Sequence, residues 1–163
     1  CGARHRRITG DQYDQFSVDF EMENGVHFHS MCRQIDGTST LVGETIQGTK
    51  GSWNSYAQEI KDLDGNVIWK FDREAEEANF KQRNPYTLEH VDLINHIRQG
   101  TSHVEAEETV ISCLAGVMGR EAAYTGATVT WDEISQSALD YMPEKLEMGS
   151  CDMSEYTVPV PGK

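Results

Sequence analysis

The sequence predicts an α+β fold, an open-faced, mainly antiparallel β-sheet covered on one face by helices. Three observations predict it. Apolar and polar residues alternate through the first half, the hairpin dipeptides Asn24-Gly25 and Asp64-Gly65 punctuate that half, and helical spacing of apolar residues takes over beyond Pro85. A chain of 163 residues can bury one core and is short for two. Residues 1–163 are therefore expected to form one domain.

Phe16, Val18, Phe20 and Met22 alternate with Ser17, Asp19 and Glu21, and after Asn24-Gly25 the series Val26, Phe28, Ser30, Cys32 alternates with His27, His29, Met31 and Arg33. Gln15–Glu23 and Val26–Gln34 should pair as an antiparallel hairpin with one apolar face and one mixed polar face. Thr38–Gln47 is rich in β-branched residues and predicts a further strand, followed by a turn at Gly48–Gly51 and a short strand over Ser52–Ala57. Glu59–Leu63 and Asn66–Phe71 flank Asp64-Gly65 as a second hairpin. Glu74–Lys81 is charged and reads as an irregular surface connection.

Asn84-Pro85 is expected to stop that segment, and Thr87 to cap a helix carrying Leu88, Val91, Ile94 and Ile97 on one side, with Gly100 as its stop. A longer helix is predicted over Val104–Tyr124, ended by Gly126, with Val110, Cys113, Leu114, Val117 and Met118 as its apolar stripe. Ala115, Gly116 and Gly119 form a small-residue patch on it that would let a neighbour approach closely. Thr130 and Glu133 have the spacing of a capping box, predicting a short helix over Trp131–Ser137. The tail from Pro143 to Lys163 has no period and should run extended.

The composition is 37% hydrophobic and 25% charged, which suits a folded globular domain. No apolar run approaches the roughly 20 residues of a membrane helix. A net charge of −13 makes nucleic acid and anionic membrane poor partners. Among the cysteines Cys1, Cys32, Cys113 and Cys151 no CxxC occurs, so a zinc ribbon or redox dithiol is not indicated; Cys32 and Cys113 fall in apolar patterns and are expected as buried thiols, with disulfides left open. The chain opens on Cys1 rather than Met and shows no export signal, as though it began inside a longer protein; the cytoplasm is favoured as its compartment, with export of a longer parent left open.

Most chemical motifs are absent. GETIQGTKGS has the glycines of a phosphate loop but lacks GK[ST] and a following helix, and there is no GxGxxG, GxSxG or HExxH. His27 and His29 are two apart on a predicted strand, a spacing used by metal sites, but no third or fourth ligand stands out; no metal site is predicted, and a small metal-binding domain is kept as a rival. His90, His96 and His103 read as surface or capping residues. Arg4, Arg6 and Arg7 cluster before the first hairpin strand and could recognise an anionic or hydroxyl-rich ligand, or simply lie in a solvated loop.

Six phrases add a family. GARHRRIT, YDQFSVDFEMENGVHFHSMCRQIDG, GTKGSW, NPYTLEHVDLINHIRQG, HVEAEETVISCLAGVMGREAAYTGATVTWDEISQS and VPVPGK occur in that order over nearly the whole chain. Together they resemble the C-terminal half of Gfo/Idh/MocA (glucose-fructose oxidoreductase and inositol dehydrogenase-like) NAD(P)-dependent oxidoreductases. The resemblance implies a C-terminal domain that shapes a sugar or cyclitol pocket and builds oligomers through an open sheet face, beside an N-terminal Rossmann domain holding NAD or NADP. It places this chain after the Lys-Pro motif and the Asp/His helix, so no catalytic or cofactor-binding residue carries over and the chain alone is expected to be inactive. Arg4, Arg7 and Arg33, the last within Met31-Cys32-Arg33-Gln34, are the substrate-binding candidates, while Gln15 stands where a His would be expected. Two rivals remain: a non-catalytic binding or assembly domain on the same scaffold, and part of an NAD-dependent glycosidase of the same superfamily.

Overall fold

The computed structural model describes residues 1–5, 10–80, 84–143, 145–150, 152, 154 and 157–162, apart from the side chains of Glu76, Asn79 and Phe80. The chain is an α+β protein with two small antiparallel sheets and four described helices. It forms two compact units, one from Cys1–Thr38 with Glu105–Lys163 and one from Ser39–Val104.

The first unit holds a three-stranded sheet in the order β1 (Gly2–Ala3), β2 (Gln15–Glu21), β3 (His27–Arg33). The register pairs Phe16 with Cys32, Val18 with Ser30 and Phe20 with Phe28, while Ser17, Asp19 and Glu21 face Met31, His29 and His27. The predicted hairpin is present, with apolar and polar sets on opposite faces. Gly25, at φ 75, makes the turn, where its N–H donates to the Met22 carbonyl at 2.8 Å.

Helix α3 (Ala106–Thr125) lies on the apolar face of β2. A methyl group on Gly119 would come within 3.0 Å of Phe20 Cζ and 3.4 Å of Val18 Cγ1, so the missing side chain is what lets helix and strand meet. Gly116 has open space instead and belongs to no such contact. Only the later turns of α3 are covered: Gly119 and Ala123 are buried, while every residue from 106 to 113 is exposed. That corrects the expectation for both thiols. Cys113 lies on the uncovered first turns and Cys32 on the edge strand β3 beyond the helix, and both are exposed and free.

An aromatic cluster closes this unit. The Tyr13 ring meets Tyr124 edge-on at 4.7 Å and Phe16 at 5.8 Å, and its hydroxyl donates to the Pro159 carbonyl at 2.9 Å. The tail is held further along where the Gly162 N–H donates to the Thr125 carbonyl at 3.0 Å. Helix α4 (Trp131–Ser135) starts with the predicted capping box: the Glu133 N–H donates to Thr130 Oγ1 at 3.3 Å and the Thr130 N–H to Glu133 Oε2 at 2.7 Å. Ile134 is buried behind it.

The second unit holds a four-stranded sheet in sequence order: β4 (Thr45–Gly48), β5 (Gly51–Asn54), β6 (Glu59–Asp62) and β7 (Val67–Lys70). Ile46, Trp53, Ile60 and Trp69 pair across all four strands in one row. The strand expected over Thr38–Gln47 is paired only from Thr45. Before that point backbone donors turn to side chains instead: Val42 N–H donates to Tyr56 Oη at 2.6 Å and Glu44 N–H to Ser55 Oγ at 2.7 Å.

Two helices follow. Arg73–Phe80 is helix α1 rather than an irregular connection. Asp72 Oδ1 accepts from the Glu74 and Ala75 amides at 3.1 and 3.0 Å, which is the work of an N-cap. Helix α2 (Pro85–Gln99) starts before Thr87: Asn84 is its N-cap, accepting from Tyr86 N–H at 3.0 Å, and Pro85 takes the first helical position where a missing N–H costs nothing. Gly100, left-handed at φ 67, ends it as predicted. No residue of α2 is buried, so its apolar side faces solvent.

The chain exposes 13975 Å². One globule of this mass would expose roughly 8,100 Å², and two independent globules of the same total mass roughly 9,800 Å². The excess is partly apolar: Met31 is 76% exposed, Ile46 61% and Ile97 69%. Among the described residues no helix is long and apolar enough to cross a membrane.

Candidate functional site

The polar face of the first sheet gathers the functional candidates. The pleat sends Ser17, Asp19, Glu21, His27, His29, Met31 and Arg33 to one side, opposite the side packed by α3. Asp19 is the hub of this face. His27 Nδ1 lies 2.7 Å from Asp19 Oδ2, His29 Nδ1 lies 3.7 Å from Asp19 Oδ1, and His29 Nε2 lies 3.0 Å from Ser17 Oγ.

The short contact decides the electrostatics. The Asp19 hydrogen bond, then the Asp19 charge, raise the His27 pKa above its ordinary 6.5, against an opposing effect of burial and with a lesser contribution from Glu21. The imidazolium form is therefore favoured there relative to a free histidine. Ser17, His29 and Asp19 have the residue types of a nucleophilic triad, but 3.7 Å is too long for the orienting hydrogen bond, and the short carboxylate contact goes to His27. All three positions also stand on an open strand surface. The arrangement is a surface charge network able to bind a polar or anionic group. Ser17 and His29 are within hydrogen-bond reach, but the carboxylate that would orient the histidine is not.

The substrate-binding candidates sit at one end of this sheet. Ala3 pairs with Gln15 and Gln15 with Arg33, so Arg33 closes a row whose other end leads directly into Arg4. Adjacent strands lie about 4.8 Å apart, which separates the two backbones by roughly 10 Å. Arg4 Nη1 donates to the Gly10 carbonyl at 2.6 Å, bracing its own loop. The buried Asp14 anchors that loop, accepting from His5 N–H at 3.0 and 2.8 Å and taking part in backbone bonds to Ala3 and Gln34. Arg7 and its neighbour Arg6 lie outside the described residues. The structure thus brings Arg4 and Arg33 to the same end of the sheet, on its two opposite edge strands.

A shallow cleft of ≈ 370 Å³ opens on the other side of β2, lined by Val18, Phe20, Met118, Gly119, Ala122 and Pro161 among others. Its walls are mostly apolar, and neither Arg4 nor Arg33 reaches it. The small-residue patch of α3 was its only trace in the sequence.

A third cluster escaped sequence reasoning. Asp92, His96 and His103 bring one ligand atom each within 4.8 Å of one another. Its legible half was the spacing of Asp92 and His96, one turn apart on a predicted helix. The contribution of His103 depends on the path of the chain after Gly100. No family model, no curated protein and no solved structure matches the chain.

Proposed function

We propose that this chain is the substrate-pocket and assembly domain of an NAD(P)-dependent sugar or cyclitol dehydrogenase of the Gfo/Idh/MocA kind. In this reading a separate Rossmann domain supplies the nicotinamide and the catalytic lysine, aspartate and histidine. The observation that carries the reading is the exposed polar face of β1–β3, with α3 on its back and arginines at one end, in a chain that leaves far more surface exposed than independent globules need. Surface of that kind is made to be covered by another protein surface.

Arg4 and Arg33 would border the substrate entrance. Guanidinium groups suit hydroxyl-rich and anionic ligands, which they hold through several N–H donors at once. The open face would meet a second copy of the chain. In the parent reaction a base takes the hydroxyl proton while hydride passes from the carbinol carbon to the nicotinamide. The described residues of this chain offer no base placed for that step, so their part is binding and orientation.

The test is an assay of the polypeptide in which a Rossmann domain precedes Cys1, with a panel of sugars and inositols and NAD or NADP. Substrate-dependent nicotinamide reduction is expected, with KM raised about tenfold, or 1.4 kcal/mol, in Arg4→Ala and in Arg33→Ala. Coding sequence upstream of Cys1 without a GxGxxG unit and a Lys-Pro motif would overturn the reading. The same scaffold as a non-catalytic assembly domain would then take its place, a reading favoured by the 3.7 Å separation that leaves His29 unoriented by Asp19.

A further inference from the structure

We propose that Asp92, His96 and His103 form a site for a borderline divalent transition metal, of the kind zinc occupies, at the C-terminal end of α2. The site is independent of the polar sheet face.

Local structure builds it. Asp92 and His96 are four apart on α2 and therefore share one side of the helix. Gly100 then turns the chain in a left-handed conformation, its N–H donating to the carbonyls of His96 and Ile97. The Thr101 N–H also donates to the His96 carbonyl, at 3.0 Å. This reversal returns His103 to its place beside His96, the two imidazoles stacked with centroids 4.5 Å apart.

The donor atoms then converge. Asp92 Oδ2 lies 3.8 Å from His96 Nε2 and 3.6 Å from His103 Nε2. Ligands around a tetrahedral zinc ion with bonds of about 2.0–2.1 Å sit roughly 3.3 Å from one another. The carboxylate contacts need shifts of about 0.3–0.5 Å, and the two imidazole nitrogens, which lie within 4.8 Å, must close by as much as about 1.5 Å through side-chain rotation. The distances are also longer than direct Asp–His hydrogen bonds.

Thr101 Oγ1 lies 2.7 Å from His96 Nδ1 and 3.4 Å from the His96 carbonyl, and so fixes the ring from its far side. In the tautomer in which the hydroxyl accepts from Nδ1–H, Nε2 carries the lone pair toward the Asp92 carboxylate, and a metal cation between the two acceptors satisfies both. A hydrogen bond that orients the ring from its far nitrogen is the usual support of a metal-ligating histidine.

Ligand type selects the ion. Two imidazole nitrogens and one carboxylate suit zinc and its neighbours, whereas magnesium and calcium prefer all-oxygen sets. Three protein ligands leave a fourth position for water, and Asp92, with a side chain 58% exposed, keeps that side open.

The test is titration of the chelator-stripped 163-residue chain with Zn²⁺ by calorimetry, with Co²⁺ as a spectroscopic probe of tetrahedral geometry. One equivalent is expected. His96→Ala and His103→Ala should each weaken binding at least tenfold, and Thr101→Val, which removes only the orienting bond, by about tenfold. His103 lies outside any helix or strand, so His103→Ala keeps the test valid even where His96→Ala disturbs α2. A His27→Ala, His29→Ala double variant should bind as the parent does. The proposal is overturned by an unmodified chain that takes up no zinc, by uptake unchanged in His103→Ala, or by uptake lost in the His27/His29 variant.

Discussion

Gly116 and Gly119 differ by three residues on one helix and should respond in opposite ways to the same substitution. Alanine in place of a mid-helix glycine favours the helix by about 1 kcal/mol, because glycine loses more backbone freedom on folding. At Gly116 nothing lies within 4 Å of the new methyl, so Gly116→Ala should gain the whole of that amount. At Gly119 the methyl would sit 3.0 Å from Phe20 Cζ and 3.4 and 3.5 Å from the two Val18 methyls. The ring must move by a few tenths of an ångström against a packed strand, and such overpacking costs about 1–3 kcal/mol. Gly119→Ala should therefore range from neutral to about 2 kcal/mol destabilising. The two variants should differ by about 1–3 kcal/mol, or several degrees of Tm in a unit of roughly 100 residues. Chemical denaturation, with native-state hydrogen exchange at the α3 amides, measures the difference locally. Equal stabilisation by both alanines would refute the packing of α3 on β2 that fixes the back of the polar face.

Two further outcomes are expected. The His27 imidazole should titrate above 6.5 by NMR, and Asp19→Asn should bring it back toward the ordinary value; since the folded pKa is the raised one, the stability this pair contributes is complete below about 6.5 and lost as pH rises through the folded value. An unchanged His27 titration in Asp19→Asn would remove the network from the polar face. Tyr13→Phe deletes the hydroxyl that holds Pro159 and should cost about 1 kcal/mol, with faster exchange of the Gly162 amide as the local sign that the tail has loosened.

Local signals in the sequence read true where both partners of a contact lie close together. Asn24-Gly25 and the flanking alternation specify the β2–β3 hairpin, because turn type and register are set within a few residues. The Thr130/Glu133 box and the stops at Gly100 and Gly126 are equally local. Two misreadings have local causes as well. Asp72 followed by Arg, Glu, Ala and Glu is a cap and a run of helix formers, masked by the view that charge means loop. Asn84-Pro85 opens α2, since proline at the first helical turn is a start signal as readily as a stop.

What the sequence could not show is which apolar surfaces are covered. Val110 and Cys113 belong to the same stripe as Leu114, Val117 and Met118, and periodicity treats them alike. The structure separates them because β2 reaches only the later turns of α3, leaving Val110 62% exposed. The row Ile46, Trp53, Ile60 and Trp69 makes the same point, since its pattern marks an apolar face without saying what lies on it. Polar clusters obey the same logic. His27 and His29 have a spacing that metal sites use, though no metal is predicted there, and the carboxylate beside them is engaged by His27 at 2.7 Å. His96 and His103 looked unremarkable because they are seven apart, yet a left-handed glycine folds one back on the other with a carboxylate poised between. Spacing along a strand or helix finds side chains that point the same way; only the turn that follows decides whether their donor atoms meet.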